Sequence, residues 1–164
     1  MSTTSDLSDL LSAFLIERTA LMLRHEGVAM LVSDYDINNA YQNIIAREHN
    51  HLSWLQHALL DQGAALPGDP STPAVAASGK GDDAWKALAA EDARLNARFV
   101  ETWRPKVEIL THARHRGMLN VVLGEMLEHK RLFDQAAAGR RDLIGSSLAI
   151  NDHPGVVLGA RWVE

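Results

Sequence analysis

The chain has 164 residues, a length that fits one domain, and its 46% hydrophobic and 23% charged residues suit a globular protein with a real core. A net charge of −5 leaves no basic footprint for nucleic acid or for an anionic membrane, and no apolar run is long enough to span a bilayer. The absence of cysteine excludes a disulfide scaffold, thiolate zinc, cysteine-held iron–sulfur clusters and a cysteine nucleophile, whereas eight histidines direct attention to metal or proton chemistry.

The start, Met1 to Asp9, is polar and acidic rather than a secretion signal, so the expected location is cytoplasmic. Ser5 and Ser8 read as N-caps of a first helix over about 5–31, with Leu10, Ala13, Phe14, Glu17, Ala20, Leu21, Val28 and Leu31 at helical spacing. The cap-rich Ser33-Asp34-Tyr35-Asp36 breaks the chain. A second helix carries Ile37, Tyr41, Ile44, Glu48, His51, Leu55 and Leu59 on one stripe and stops near Gln62-Gly63. Residues 63–82, with Pro67, Gly68, Pro70, Pro73, Gly79 and Gly81, read as a loop of unusual length. A third helix starts near Asp82-Asp83 and shows Trp85, Leu88, Asp92, Leu95 and Phe99 on one face. Pro105 predicts a kink or a new start, and Gly117 a tight turn. A fourth helix runs from about Met118 to Ala138 and stops at Gly139. His112 and His115, flanked by Arg114 and Arg116, read as a solvated helix end. The remainder reads as an irregular tail with room for one short helix, and Val156-Val157-Leu158 is its only strand-like stretch. The chain therefore divides into a bundle over 1–138 and a tail over 139–164.

The fold class expected is therefore all-α: a four-helix bundle of two antiparallel hairpins joined by one long crossover, a connection that a simple up-down bundle does not need. Acids and histidines recur on its inner stripes. Glu17 lies among Phe14 and Leu21. Glu48 and His51 stand at i and i+3, so they project from one side of the second helix. On the third helix the stripe passes through Asp92, while Glu91 keeps company with Arg94 and Arg98. On the fourth, Glu125 is followed by Glu128 at i+3 and His129 at i+4. Glu17 and Glu48 are separated by 31 residues and Asp92 and Glu125 by 33, spacings that bring paired acids to one level of each hairpin. Carboxylates so close would raise one another's pKa, and a pair of divalent cations would remove that penalty. Mixed oxygen and nitrogen donors suit iron first, with manganese or zinc as the other fits.

With these motifs the chain resembles the ferritin and rubrerythrin superfamily of carboxylate-bridged di-metal proteins over about residues 5–138. The family pattern is Glu on the first helix, Glu-x-x-His on the second, Glu on the third and Glu-x-x-His on the fourth. Glu17 fits the first place, and Glu48 with His51 fits the second. Glu91 or Asp92 fits the third, and Glu125 fits the acid of the fourth. Glu128 stands where the family has histidine, with His129 one residue further along. The resemblance implies two metal ions bridged by Glu48 and Glu125, with Glu17 and Asp92 or Glu91 as terminal ligands and His51 and His129 completing the spheres. It implies oxidase, peroxidase or iron-handling activity on dioxygen or peroxide, an external electron donor, and a homodimer or higher homo-oligomer. The departure at Glu128 keeps open an alternative, in which a degenerate, metal-free bundle acts as a structural or interaction module. A hemerythrin-like reading rests on His129 and Asp134 alone, because no His-x-x-x-Glu or His-x-x-x-His accompanies them. Gly79-Lys80-Gly81 lacks the glycine frame of a phosphate loop, and no serine stands on a strand-borne elbow.

Overall fold

A computed structural model describes residues 4–77 and 79–144. It contains four long helices, α1 (Thr4–Leu31), α2 (Tyr35–Asp61), α3 (Asp82–Glu108) and α4 (Ala113–Ala137), and no strand among the described residues. The tail beyond residue 144, with the short helix and the strand-like stretch expected there, lies outside the described residues.

Local chemistry explains most of the boundaries. Asp34 caps α2 by accepting from the Ile37 N–H at 3.1 Å. Gly63 and Gly139 adopt positive φ just past α2 and α4, where Ala64 N–H reaches the Leu59 carbonyl and Arg140 N–H the Gln135 carbonyl. This is the left-handed stop that glycine makes without steric cost. Three expectations differ from what is found. Ser5 and Ser8 lie inside α1, which begins at Thr4. Pro105 falls in the last turn of α3, which continues to Glu108. The turn into α4 sits at residues 109–112 rather than at Gly117. There the His112 ring accepts from the His115 N–H as N-cap, and buried Leu110 anchors the turn in the core. Gly117 is helical, because a cap and an apolar anchor together fix a turn more firmly than a lone glycine does.

The helices pack in the cyclic order α1, α2, α4, α3. Phe14 meets Phe99 and Trp103 while Arg24 meets Asp92, so α1 and α3 run antiparallel. Tyr41 meets Phe133 while His51 meets Glu125, so α2 and α4 do as well. It follows that α2 and α3 point the same way, and residues 62–81 must return along the length of the bundle. They do so over α1 and α2: Asp69, Pro70 and Thr72 line a cleft with Met22 and Leu52, and Val75 lies against Gly27.

Gly27 leaves room for that strap. A Cβ there would stand 3.1 Å from Val75 Cγ2. Gly27→Leu is expected to gain about 0.5–1 kcal/mol in helix propensity and to lose about 1 kcal/mol of Val75 packing. Urea stability should therefore barely move, while limited proteolysis within residues 63–81 speeds up. An unchanged cleavage rate would mean that the crossover does not rest on this glycine.

Candidate functional site

Two apolar clusters fill the bundle. One gathers Leu11, Phe14, Leu55, Phe99, Trp103 and Leu119, and the other Val28, Ile37, Tyr41, Trp85, Ala89 and Phe133. Between them, at mid-depth, the helices contribute a polar layer: Arg18 and His25 from α1, Glu48 and His51 from α2, Asp92 and Asn96 from α3, and His129 from α4, all buried.

The layer is organised as carboxylates that each meet an arginine from a neighbouring helix. Arg18 donates from Nη2 to Glu48 Oε1 at 2.7 Å, with both side chains at 0% exposure. Arg24 donates from Nε to Asp92 Oδ1 at 2.7 Å. At the edge of the layer, Arg47 reaches Glu125 at 3.1 Å. Histidines stitch these pairs together. His25 Nδ1 lies 2.9 and 3.0 Å from the two Glu48 oxygens, and its Nε2 faces Asn96 Nδ2 at 3.3 Å. His51 Nε2 bonds Glu125 at 2.9 Å, and its Nδ1 faces Arg18 Nη2 at 3.5 Å. The Tyr41 hydroxyl donates to Asp92 Oδ2 at 2.5 Å.

The electrostatics follow from this geometry. Burial alone would raise the Glu48 carboxyl, but Arg18 and His25 outweigh it and hold the group far below the usual carboxylate range. Burial, then Asp92, pushes the Tyr41 phenol far above its usual value, so it stays protonated and keeps its hydrogen for Asp92. Burial, reinforced by Arg18, lowers His51. The bond from Arg47, then burial's opposing effect and His51, leaves Glu125 lowered. Burial brings His129 down to about 4, so its ring is neutral at neutral pH. Among the described residues, both ring nitrogens of His129 lack a hydrogen-bond partner, as do Nε and Nη1 of Arg18 and Oδ1 of Asn96. The His129 ring is inclined 22° to that of His51, with centroids 6.1 Å apart.

Tyr41→Phe tests how tightly the layer is closed. It deletes a hydrogen bond to a buried carboxylate and leaves Asp92 Oδ2 unsatisfied, so about 1.5–3 kcal/mol of stability should be lost in urea unfolding. A loss below about 0.5 kcal/mol would mean that water reaches Asp92.

Of the residues singled out from sequence, Glu48, His51, Asp92 and His129 come together in the layer, and Glu125 joins at its edge. Glu17 does not: it is exposed and accepts from the Trp103 indole at 2.8 Å. Glu91 pairs with Arg94 at 2.6 Å on the surface. Glu128, at 65% exposure, pairs with Arg131. His115, expected in solvent, is buried against His112. Arg18, Arg24, His25 and Asn96 are the members that periodicity did not single out. A signal for two of them exists in the heptad Leu11, Arg18, His25, Val32, rotated about 100° from the stripe through Glu17.

The residues do not, as arranged, fit a pair of divalent ions. The Glu48 carboxylate is taken by a guanidinium and an imidazole, and Asp92 by a guanidinium and a phenol. Among the described residues no group of three or more histidine and acidic side chains is placed to hold a metal ion. Nor, among them, is any helix long and apolar enough to cross a membrane.

Fold and site together define an all-α four-helix bundle with a long crossover and a buried, charge-balanced polar layer. Compared with protein-family models, curated proteins and solved structures, the chain finds no match.

Proposed function

We propose that this chain is a ferritin-like helical scaffold whose interior acids are neutralised by its own arginines and histidines in place of a metal pair, and that it serves as a structural or interaction module. The observation that carries this reading is the Arg18–Glu48 pair, fully buried at 2.7 Å, with His25 on the second carboxylate oxygen. A guanidinium so placed supplies the positive charge that the interior carboxylate requires. A divalent ion at the same oxygen would have to displace it against like-charge repulsion. The test is elemental analysis of the native protein together with thermal unfolding in chelator. Iron and manganese near zero per chain, and the same response of the melting temperature to chelator in Glu48→Gln as in the parent, are the expected results. Stoichiometric iron or manganese that disappears in Glu48→Gln would overturn the reading.

One observation favours a second reading, the two-metal protein. His129 is buried, has no partner for either ring nitrogen among the described residues, and lies beside His51, a poor arrangement for a residue whose only task is packing. In that reading Arg18 withdraws and Glu48, His51, His129 and Glu125 hold two ions, iron first, which would supply redox chemistry toward dioxygen or peroxide with electrons from an external donor. Anaerobic titration with iron(II) separates the two readings: saturable uptake of two ions per chain, abolished in His129→Gln, supports the second.

A further inference from the structure

The polar layer is not the only place where histidines from two helices line one space. At the end of the bundle that carries the α3–α4 turn, a cleft of about 270 Å³ opens between α2 and α4, lined by His57, Asp61, Arg114 and His115 with apolar walls that include Trp54 and Met118. The two imidazoles there are held in one tautomer by the protein. His57 Nδ1 lies 2.7 Å from the Ser53 carbonyl, which can only accept, so Nδ1 carries the proton. His112 Nδ1 accepts the His115 backbone N–H at 3.4 Å, so it presents a lone pair. His115 Nδ1, 2.9 Å from that same atom, must therefore be the donor. In its neutral form each ring thus has Nε2 as its free lone pair, and both rings line the same cleft.

Backbone and side-chain acceptors that fix Nδ1–H and leave Nε2 free are the outer support that metal-binding histidines require. Asp61 stands one helical turn after His57 on α2, and its partner Arg114 is 3.8 Å away and 79% exposed, an ion pair weak enough to exchange. Two imidazoles and one carboxylate, beside an apolar wall, suit a borderline transition-metal ion rather than calcium or magnesium.

We propose that His57 and His115 form a divalent transition-metal site of the zinc class in the α2–α4 cleft, with Asp61 swinging from Arg114 to complete it. The two imidazoles are the pre-set half of the site, since no three ligand side chains stand gathered beforehand among the described residues. The site lies apart from the Arg18–Glu48 layer and does not depend on what that layer holds.

The experiment is titration of the full chain at neutral pH with zinc(II) alone by calorimetry, and with cobalt(II) alone by its visible absorption. One ion per chain is expected. His57→Gln and His115→Gln should each weaken binding about tenfold or more, while His49→Gln, an exposed histidine elsewhere on α2, leaves it unchanged. His57 is exposed, so its variant should keep full helicity by circular dichroism and makes the comparison independent of folding. Unchanged affinity in His57→Gln, or no binding at millimolar zinc, overturns the proposal. Binding that survives His57→Gln but is lost in His129→Gln also overturns it, by moving the ion into the polar layer and supporting the two-metal reading.

Discussion

Replacing Arg18 by methionine is expected to destabilise the protein by about 3–5 kcal/mol, the usual consequence of removing one partner of a buried ion pair. Glu48 has no exposure to water, and without the guanidinium its buried carboxylate keeps only the contact with the His25 ring. For a chain of this size the loss corresponds to a melting temperature lower by about 6–20 °C. The informative companion is the double variant Arg18→Met with Glu48→Met. It removes both charges and both desolvation costs, so it should be much closer to the parent than either single change. Urea unfolding of the four proteins closes the cycle, and a coupling energy above about 2 kcal/mol is expected. A loss under about 1 kcal/mol in Arg18→Met would show that something other than this guanidinium neutralises Glu48, and the proposal of a self-balanced interior would fall with it.

Acid should unfold the protein in two stages. His129 has its folded pKa lowered to about 4 against an ordinary 6.5, because burial disfavours the imidazolium. A group whose folded pKa is depressed contributes stability that is fully present above its unfolded pKa and is lost as pH falls toward its folded pKa. For His129 that window is pH 6.5 down to about 4, and the gap corresponds to about 3 kcal/mol. His51 and His115, also lowered chiefly by burial, act in the same direction. The second stage belongs to Glu48, whose contribution is present above about 4.5 and is lost below it, as protonation breaks the bonds from Arg18 and His25. Stability measured in urea from pH 8 to pH 3 should therefore fall first between 6.5 and 4 and then more steeply. His129→Leu should flatten the first stage and leave the second in place. A pH profile identical in that variant and the parent would mean that the His129 ring is not held neutral by its surroundings.

Much of the bundle is legible in the chain because its determinants are local. Asp34, Gly63 and Gly139 mark ends through their own capping and φ preferences. The stripe from Ile37 to Leu59 has one dominant phase, and that phase correctly turns Glu48 and His51 inward. The same reasoning separates Asp92 from Glu91, since Asp92 shares its face with Trp85, Leu88 and Phe99. On α1 periodicity is a poor guide. Apolar residues occur nearly all round it, and Ile16, Met30 and Leu31 are exposed. A stripe through Glu17 and one through Arg18 therefore fit the sequence about equally. Only packing against α2 and α3 selects the second. The turn at residues 109–112 was hidden for a related reason: histidine is an uncommon cap, and Gly117 gave the stronger local signal.

By itself the sequence determined four helices, their pairing into hairpins and the long return between them, because helix length, caps and loop length are written in consecutive residues. It also turned Glu48, His51 and Asp92 inward at mid-depth, since each lies on the one dominant apolar stripe of its helix. What neutralises those acids was decided only by tertiary structure. The charge of Glu48 is answered by a residue 30 positions away and that of Asp92 by one 68 positions away, on helices whose rotation about their own axes no local pattern fixes. A turn of about 100° in α1 exchanges Glu17 for Arg18, an anion for a cation, at the place where the interior most needs positive charge.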